Sequence, residues 1–144
     1  MILYEIKAHY QRQTGEDNPK GVRETYLVEA INCADAENRL MDEIKALVFG
    51  DCEVPSCKKV QYAEIFENPQ STLCFWFKAR VEMITVEDDK EKRKAVNMLI
   101  QGDSIDDALT DLRKRTGSYD CEIISIAKTQ IMDFLHAVND IKAE

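Results

Sequence analysis

The 144-residue chain is poor in the residues that most often announce a function. It has one Trp, two His, three Pro and five Gly. The glycines (Gly15, Gly21, Gly50, Gly102 and Gly117) are scattered, so there is no glycine-rich stretch whose backbone amides could cradle a phosphate. No apolar run reaches the roughly 18 residues needed to cross a bilayer as a helix, which leaves a membrane partner without support. The start, MILYEIKAHYQRQ, alternates in character and does not read as a secretion leader, so a cytoplasmic location is expected. Basic residues are outnumbered, 19 Lys and Arg against 27 Asp and Glu. The net charge of −8 opposes nonspecific attraction to phosphate backbones and anionic membranes.

Hydrophobic residues at 44% with 32% charged ones describe an ordinary globular chain, large enough for one core or two tightly fused halves. Five cysteines, Cys33, Cys52, Cys57, Cys74 and Cys121, are an odd number at irregular spacings. They are read as reduced thiols. Cys52 and Cys57 could offer half of a zinc site, with Cys33 or Cys121 beside them. A second tight pair is missing, so the reading is structural or incidental thiols, with no metal and no cofactor.

Ile2, Tyr4, Ile6, Ala8 and Tyr10 alternate with polar partners, the period of a strand with one buried face. The turn-rich segment TGEDNPKG then leads to a second strand with Tyr26, Val28 and Ala30 on one face. Asn32 is suited to cap a helix carrying Ala36, Leu40, Ile44 and Leu47 or Val48, with Gly50 as its stop. KKVQYAEIF is expected to return as a third strand. The order then recurs. LCFWFKARVEMITV and the segment around Val96, Met98 and Ile100 form a hairpin with EDDKEKRK at its tip. Ser104 or Asp103 caps a helix carrying Ile105, Ala108, Leu109 and Leu112, closed by Gly117. DCEIISIAKTQIMDF is the last strand.

YLVEAINCADAENRL and VNMLIQGDSIDDALTDL therefore occupy equivalent places, and Asp120-Cys121-Glu122 echoes Asp51-Cys52-Glu53. Matches in one order favour an internal duplication. The expected fold is α+β: a single domain, 1–144, of two ββαβ pseudo-repeats (1–66 and 73–132), mainly antiparallel sheet with two packed helices. A C-terminal extension, 133–144, carries Phe134, Leu135, Val138 and Ile141 at helical spacing. It is expected to form a short helix, a possible route to a homo-oligomer.

The ordered set YLVEA, AENRLMDEI, VNMLIQG and SIAKTQIMDF resembles a family known only as a domain of unknown function, found in gut anaerobic bacteria and their phages. The resemblance spans about residues 1 to 134. It implies a small intracellular protein, often of phage or mobile-element origin, and brings no catalytic residue, cofactor or substrate.

Candidate chemistry is sparse. His9 lies on the polar side of the first strand, and His136 has no motif around it, so no nucleophile–base–acid set is assembled and no catalytic residue is named. Glu87-Asp88-Asp89 and Asp103, Asp106 and Asp107 read as a hairpin tip and a helix start. One constellation stands out. Trp76, Lys78 and Arg80 alternate with Phe75, Phe77 and Ala79 and so project from the opposite face, with Lys7 and His9 at the equivalent places of the first half. An aromatic flanked by cations can stack a base or anchor an interface; the competing reading has Trp76 covered by the terminal helix or another subunit, or packed at the edge of the core. The expected function is a noncatalytic, intracellular binding protein, a phage or mobile-element accessory or regulatory factor acting on a protein partner. The alternative is nucleotide or single-stranded nucleic-acid binding across that aromatic and basic face. A hydrolase with an unrecognised site is a third, weaker possibility.

Overall fold

The computed structural model describes residues 2–13, 15 and 18–137. Ten elements follow in order: β1 (Ile2–Arg12), β2 (Lys20–Ala30), α1 (Cys33–Ile44), β3 (Val48–Val60), β4 (Glu64–Phe66), β5 (Phe75–Glu87), β6 (Lys90–Gly102), α2 (Ile105–Arg115), β7 (Cys121–Lys128) and β8 (Ile131–Leu135). They form two compact units, one from Met1–Val60 with Gln130–Glu144, the other from Gln61–Thr129. The class is α+β with mostly antiparallel sheet, as the alternation and the two amphipathic segments require.

The first unit holds a sheet in the order β3-β1-β2-β8. β1 and β2 form the expected antiparallel hairpin, from Ile2 opposite Ala30 to Arg12 opposite Lys20. Tyr4, Ile6, Ala8, Tyr10, Tyr26, Val28 and Ala30 share one face and pack on Ala36, Leu40 and Ile44 of α1. The helix starts where the sequence places it. The Asn32 side chain accepts from the Asp35 amide at 2.8 Å, while the Asp35 carboxylate accepts from the Ile31 amide at 3.0 Å and pairs with Arg39 at 3.2 Å. Its end differs from the expectation: α1 stops at Ile44, and Gly50 (φ +78°) lies inside β3, where the ladder to β1 slips between Tyr10–Cys52 and Gln11–Phe49. A glycine in the left-handed region suits a bulge as well as a helix stop, and spacing alone does not separate the two. Pro55 is tolerated in β3 because this strand pairs with β1 alone, leaving one edge that needs no donor.

The second unit has the sheet order β4-β6-β5-β7, with Phe77, Ala79, Val81, Met98 and Ile100 packed on Ala108 and Leu112 of α2. The β5–β6 hairpin turns through Asp88 and Asp89, both in the left-handed region (φ 51° and 61°) as a two-residue turn of this hand requires. Ser104 is the N-cap, its hydroxyl accepting from the Asp107 amide at 3.1 Å. Asp106 and Asp107 sit at the positive end of α2, and Arg113, Lys114 and Arg115 at its negative end.

Three expected stretches break differently. KKVQYAEIF is not one strand: β3 ends at Val60, and Glu64–Phe66 pairs in parallel with β6 in the second sheet. DCEIISIAKTQIMDF likewise divides at Thr129-Gln130, β7 joining β5 and β8 pairing in parallel with β2 in the first sheet. Of the expected terminal helix over 133–144, the first three residues, Asp133–Leu135, belong to strand β8 instead; residues 138–144 of that segment lie outside the described ones. The cause is ladder pairing. The open edge of β2 offers backbone partners that helical spacing of Phe134 and Leu135 does not reveal.

The cysteines are a further correction. Cys33 and Cys57 are joined in a disulfide, whereas Cys52, Cys74 and Cys121 are free. Their sequence separation of 24 gave no sign of the pairing, which depends on α1 laying its first residue against β3.

Candidate functional site

Strand alternation places Lys7, His9 and Gln11 on the face of the first sheet that points away from α1, opposite Ile6, Ala8 and Tyr10. Antiparallel register then sets their neighbours. Arg23 and Glu53 flank His9 from β2 and β3, and Gly21 and Phe49 flank Gln11. Part of this surface is an open cleft of about 440 Å³ lined by His9, Tyr10, Gln11, Gly21, Val22, Arg23, Asp51 and Glu53, with Lys7 and Phe49 outside its lining. Gly21 matters here because a Cβ at that position would stand 3.3 Å from Gln11 Nε2, so the missing side chain leaves the floor where Gln11 lies. Phe49 is 56% exposed beside the cleft, a large apolar ring left in water next to both signs of charge. Further along β2 the same face closes, with Thr25 and Leu27 buried.

In the second unit, Trp76 does project away from Phe77 but is buried, only 2% exposed. Leu99 on the same face is also buried, whereas Lys78 and Arg80 are exposed. Of the two readings of Trp76, open stacking residue or covered residue, the covered one holds, which takes Trp76 out of the expected binding residues. Period two fixes which side a residue takes; it does not fix whether that side is covered, and a ring system of this size gains most by leaving water. The main chain at Trp76 is pinned too, its carbonyl accepting from the Thr129 amide and hydroxyl, both at 2.8 Å.

A buried carboxylate sits on the α1 side of the first sheet. Glu24, 7% exposed, accepts from the Tyr10 hydroxyl at 2.6 Å and the Tyr26 hydroxyl at 2.9 Å through Oε1, and from Arg12 Nη1 at 3.0 Å through Oε2. Burial first, and then the hydrogen bond to Glu24, push the Tyr10 phenol up to about 12 and raise Tyr26 as well. Cys52 nearby is also raised, chiefly by burial, which keeps it a thiol. The arrangement is a closed polar clamp. Its sequence signal was available: Glu24 shares the parity of Tyr26 and Val28, an acid on an apolar face.

The other acidic residues organise loops. Asp103 accepts from the Ser71 hydroxyl at 2.7 Å and from the Thr72 and Leu73 amides at 2.9 and 2.8 Å, bonds that lower its carboxyl, Ser71 foremost. Among the described residues no group of three or more His, Cys, Asp or Glu side chains is placed to hold a metal ion. His136 Nδ1 lies 3.1 Å from Glu29 Oε1. Among the described residues no helix is long and apolar enough to cross a membrane.

A family model described as a domain of unknown function, DUF4494, matches residues 2–137. A search of curated proteins finds no match to the chain.

Proposed function

We propose, from the premise that the chain belongs to the DUF4494 family, that it is a noncatalytic binding protein acting on a protein partner through the open face of β1, β2 and β3. The observation that carries the reading is Phe49, more than half exposed beside a cleft bearing Arg23, His9, Asp51 and Glu53. An exposed aromatic ringed by mixed charge suits a protein surface, where the ring is desolvated and the charges set register. The same mixture suits a polyanion less well, because Asp51 and Glu53 repel phosphates that Lys7 and Arg23 attract. Exposed Lys78 and Arg80 provide a secondary basic pair in the second unit, without Trp76.

The internal duplication belongs to this proposal. Read from their outer strands, the two sheets run β3-β1-β2-β8 and β7-β5-β6-β4, with one helix per unit following the central hairpin, which supports a doubled ββαβ ancestor. An accessory or regulatory role in a phage or mobile element rests on the sequence resemblance alone; a cytoplasmic setting is part of the same proposal.

Affinity capture of the tagged protein from the organism that encodes it, run beside Phe49→Ala and Arg23→Glu, tests the reading. A protein recovered with the parent and depleted by Phe49→Ala is expected, a loss of ~1–3 kcal/mol of binding if Phe49 is an anchor. Recovery of nucleotide or oligonucleotide in place of protein would transfer the site to the nucleic-acid alternative. Equal recovery of the same protein by parent and both variants would remove this face from binding.

A further inference from the structure

We propose that Cys33 and Cys57 form a redox-responsive staple, fastening the first residue of α1 to the edge strand β3 so that oxidation state sets how firmly β3 is held. β3 needs such a fastening. It pairs on one side only, its ladder to β1 slips twice, between Lys7–Ser56 and His9–Glu53 and again between Tyr10–Cys52 and Gln11–Phe49, and Pro55, inside the first slip, contributes no amide donor. The staple lies beyond the Pro55 slip, at Cys57, which the register places opposite Ile6.

Both cysteines are partly buried residues packed at the margin of the first core and not inside it, the setting the proposed exchange with a small thiol requires. Cys52 on the same strand is a separate group: it faces Tyr10 and stays protonated for the reasons given above. Closing the staple takes a small-molecule disulfide such as oxidised glutathione. One cysteine thiolate attacks a sulfur of that disulfide and expels a first thiolate. The other then attacks the protein sulfur of the mixed disulfide and expels a second. Two protein thiols are oxidised, one small disulfide is reduced to two thiols, and the two protein protons end on the leaving thiolates. Reduction runs the same steps in reverse.

Because Phe49, Asp51 and Glu53 all belong to β3, the staple also governs the binding face; that consequence rests on the proposed function, whereas the hold on β3 does not. The full chain is equilibrated in glutathione buffers of graded ratio, its thiols are counted after denaturation, and hydrogen exchange is read peptide by peptide. Three reactive thiols (Cys52, Cys74 and Cys121) are expected in the oxidised form and all five after reduction. On reduction, exchange in β3 and the first turn of α1 should accelerate about tenfold or more, while the β5–β6 hairpin stays unchanged. Cys33→Ser should show the fast profile without reductant, and Cys52→Ser should keep the slow one. Should Cys33→Ser fail to fold, the oxidised and reduced parent decide alone. Five reactive thiols after equilibration with oxidised glutathione, or identical β3 exchange in both forms, would overturn the staple. Failure of Phe49→Ala to affect capture, with the staple behaving as expected, would sink only the binding reading.

Discussion

Replacing Glu24 by Ala should cost ~3–5 kcal/mol of folding stability, although the position looks like one charge among many on a charged chain. The magnitude follows from its partners. Oε1 serves two buried phenols, Tyr10 (5% exposed) and Tyr26 (6%), and each would be left without its acceptor at ~1–3 kcal/mol. Arg12 adds less, because its side chain is about one-third exposed and water can replace the lost carboxylate. Glu24→Gln keeps a carbonyl for the two phenols but sets an amide against Arg12 and removes the charge, for ~1–3 kcal/mol. Tyr10→Phe should cost ~1–2 kcal/mol in the parent and nearly nothing in Glu24→Ala, since its partner is already gone. Urea melts of the four proteins of this cycle, at constant slope, supply the values. The clamp would be refuted if Glu24→Ala cost under ~1 kcal/mol, or if the two changes were additive.

The same clamp sets the alkaline limit. An ordinary tyrosine titrates at 10.0, and Tyr10 in the folded protein is raised to about 12 by burial and by Glu24. The folded state therefore holds its phenol proton more tightly than the unfolded state. This contribution is complete below pH 10 and is lost as pH climbs toward 12, at roughly 1.4 kcal/mol per pH unit for each such tyrosine, with Tyr26 acting in the same direction. Phenolate absorbance and denaturant midpoints followed together should show ionisation coinciding with unfolding; ionisation of all five tyrosines near pH 10 with the fold intact would contradict it. Trp76 is the sole tryptophan, so fluorescence reports on it alone. Blue-shifted emission resistant to acrylamide is expected, together with a loss of ~3–5 kcal/mol for Trp76→Ala. Red, freely quenched emission would restore Trp76 to the surface.

Period and punctuation carried the local elements. Tyr4, Ile6, Ala8 and Tyr10 made β1 legible because a strand needs one apolar face, and Asn32 and the pair Asp103-Ser104, of which the structure selects Ser104, marked both helix starts because orphan amides need an acceptor within a few residues. These are short-range requirements, written where they act. The destinations of Glu64–Phe66 and Ile131–Leu135 were not written there. Which sheet edge receives a strand depends on the hydrogen-bonding groups another part of the chain leaves open, and β6 and β2 supply them from far along the sequence. The candidate face divides the same way. Alternation put Lys7 and His9 on one side of β1, but only the register with β2 and β3 brought Arg23 and Phe49 beside them. Trp76 took its side from alternation as well, yet its burial was decided by tertiary packing, because local geometry orients a side chain and only the assembled chain excludes water from it.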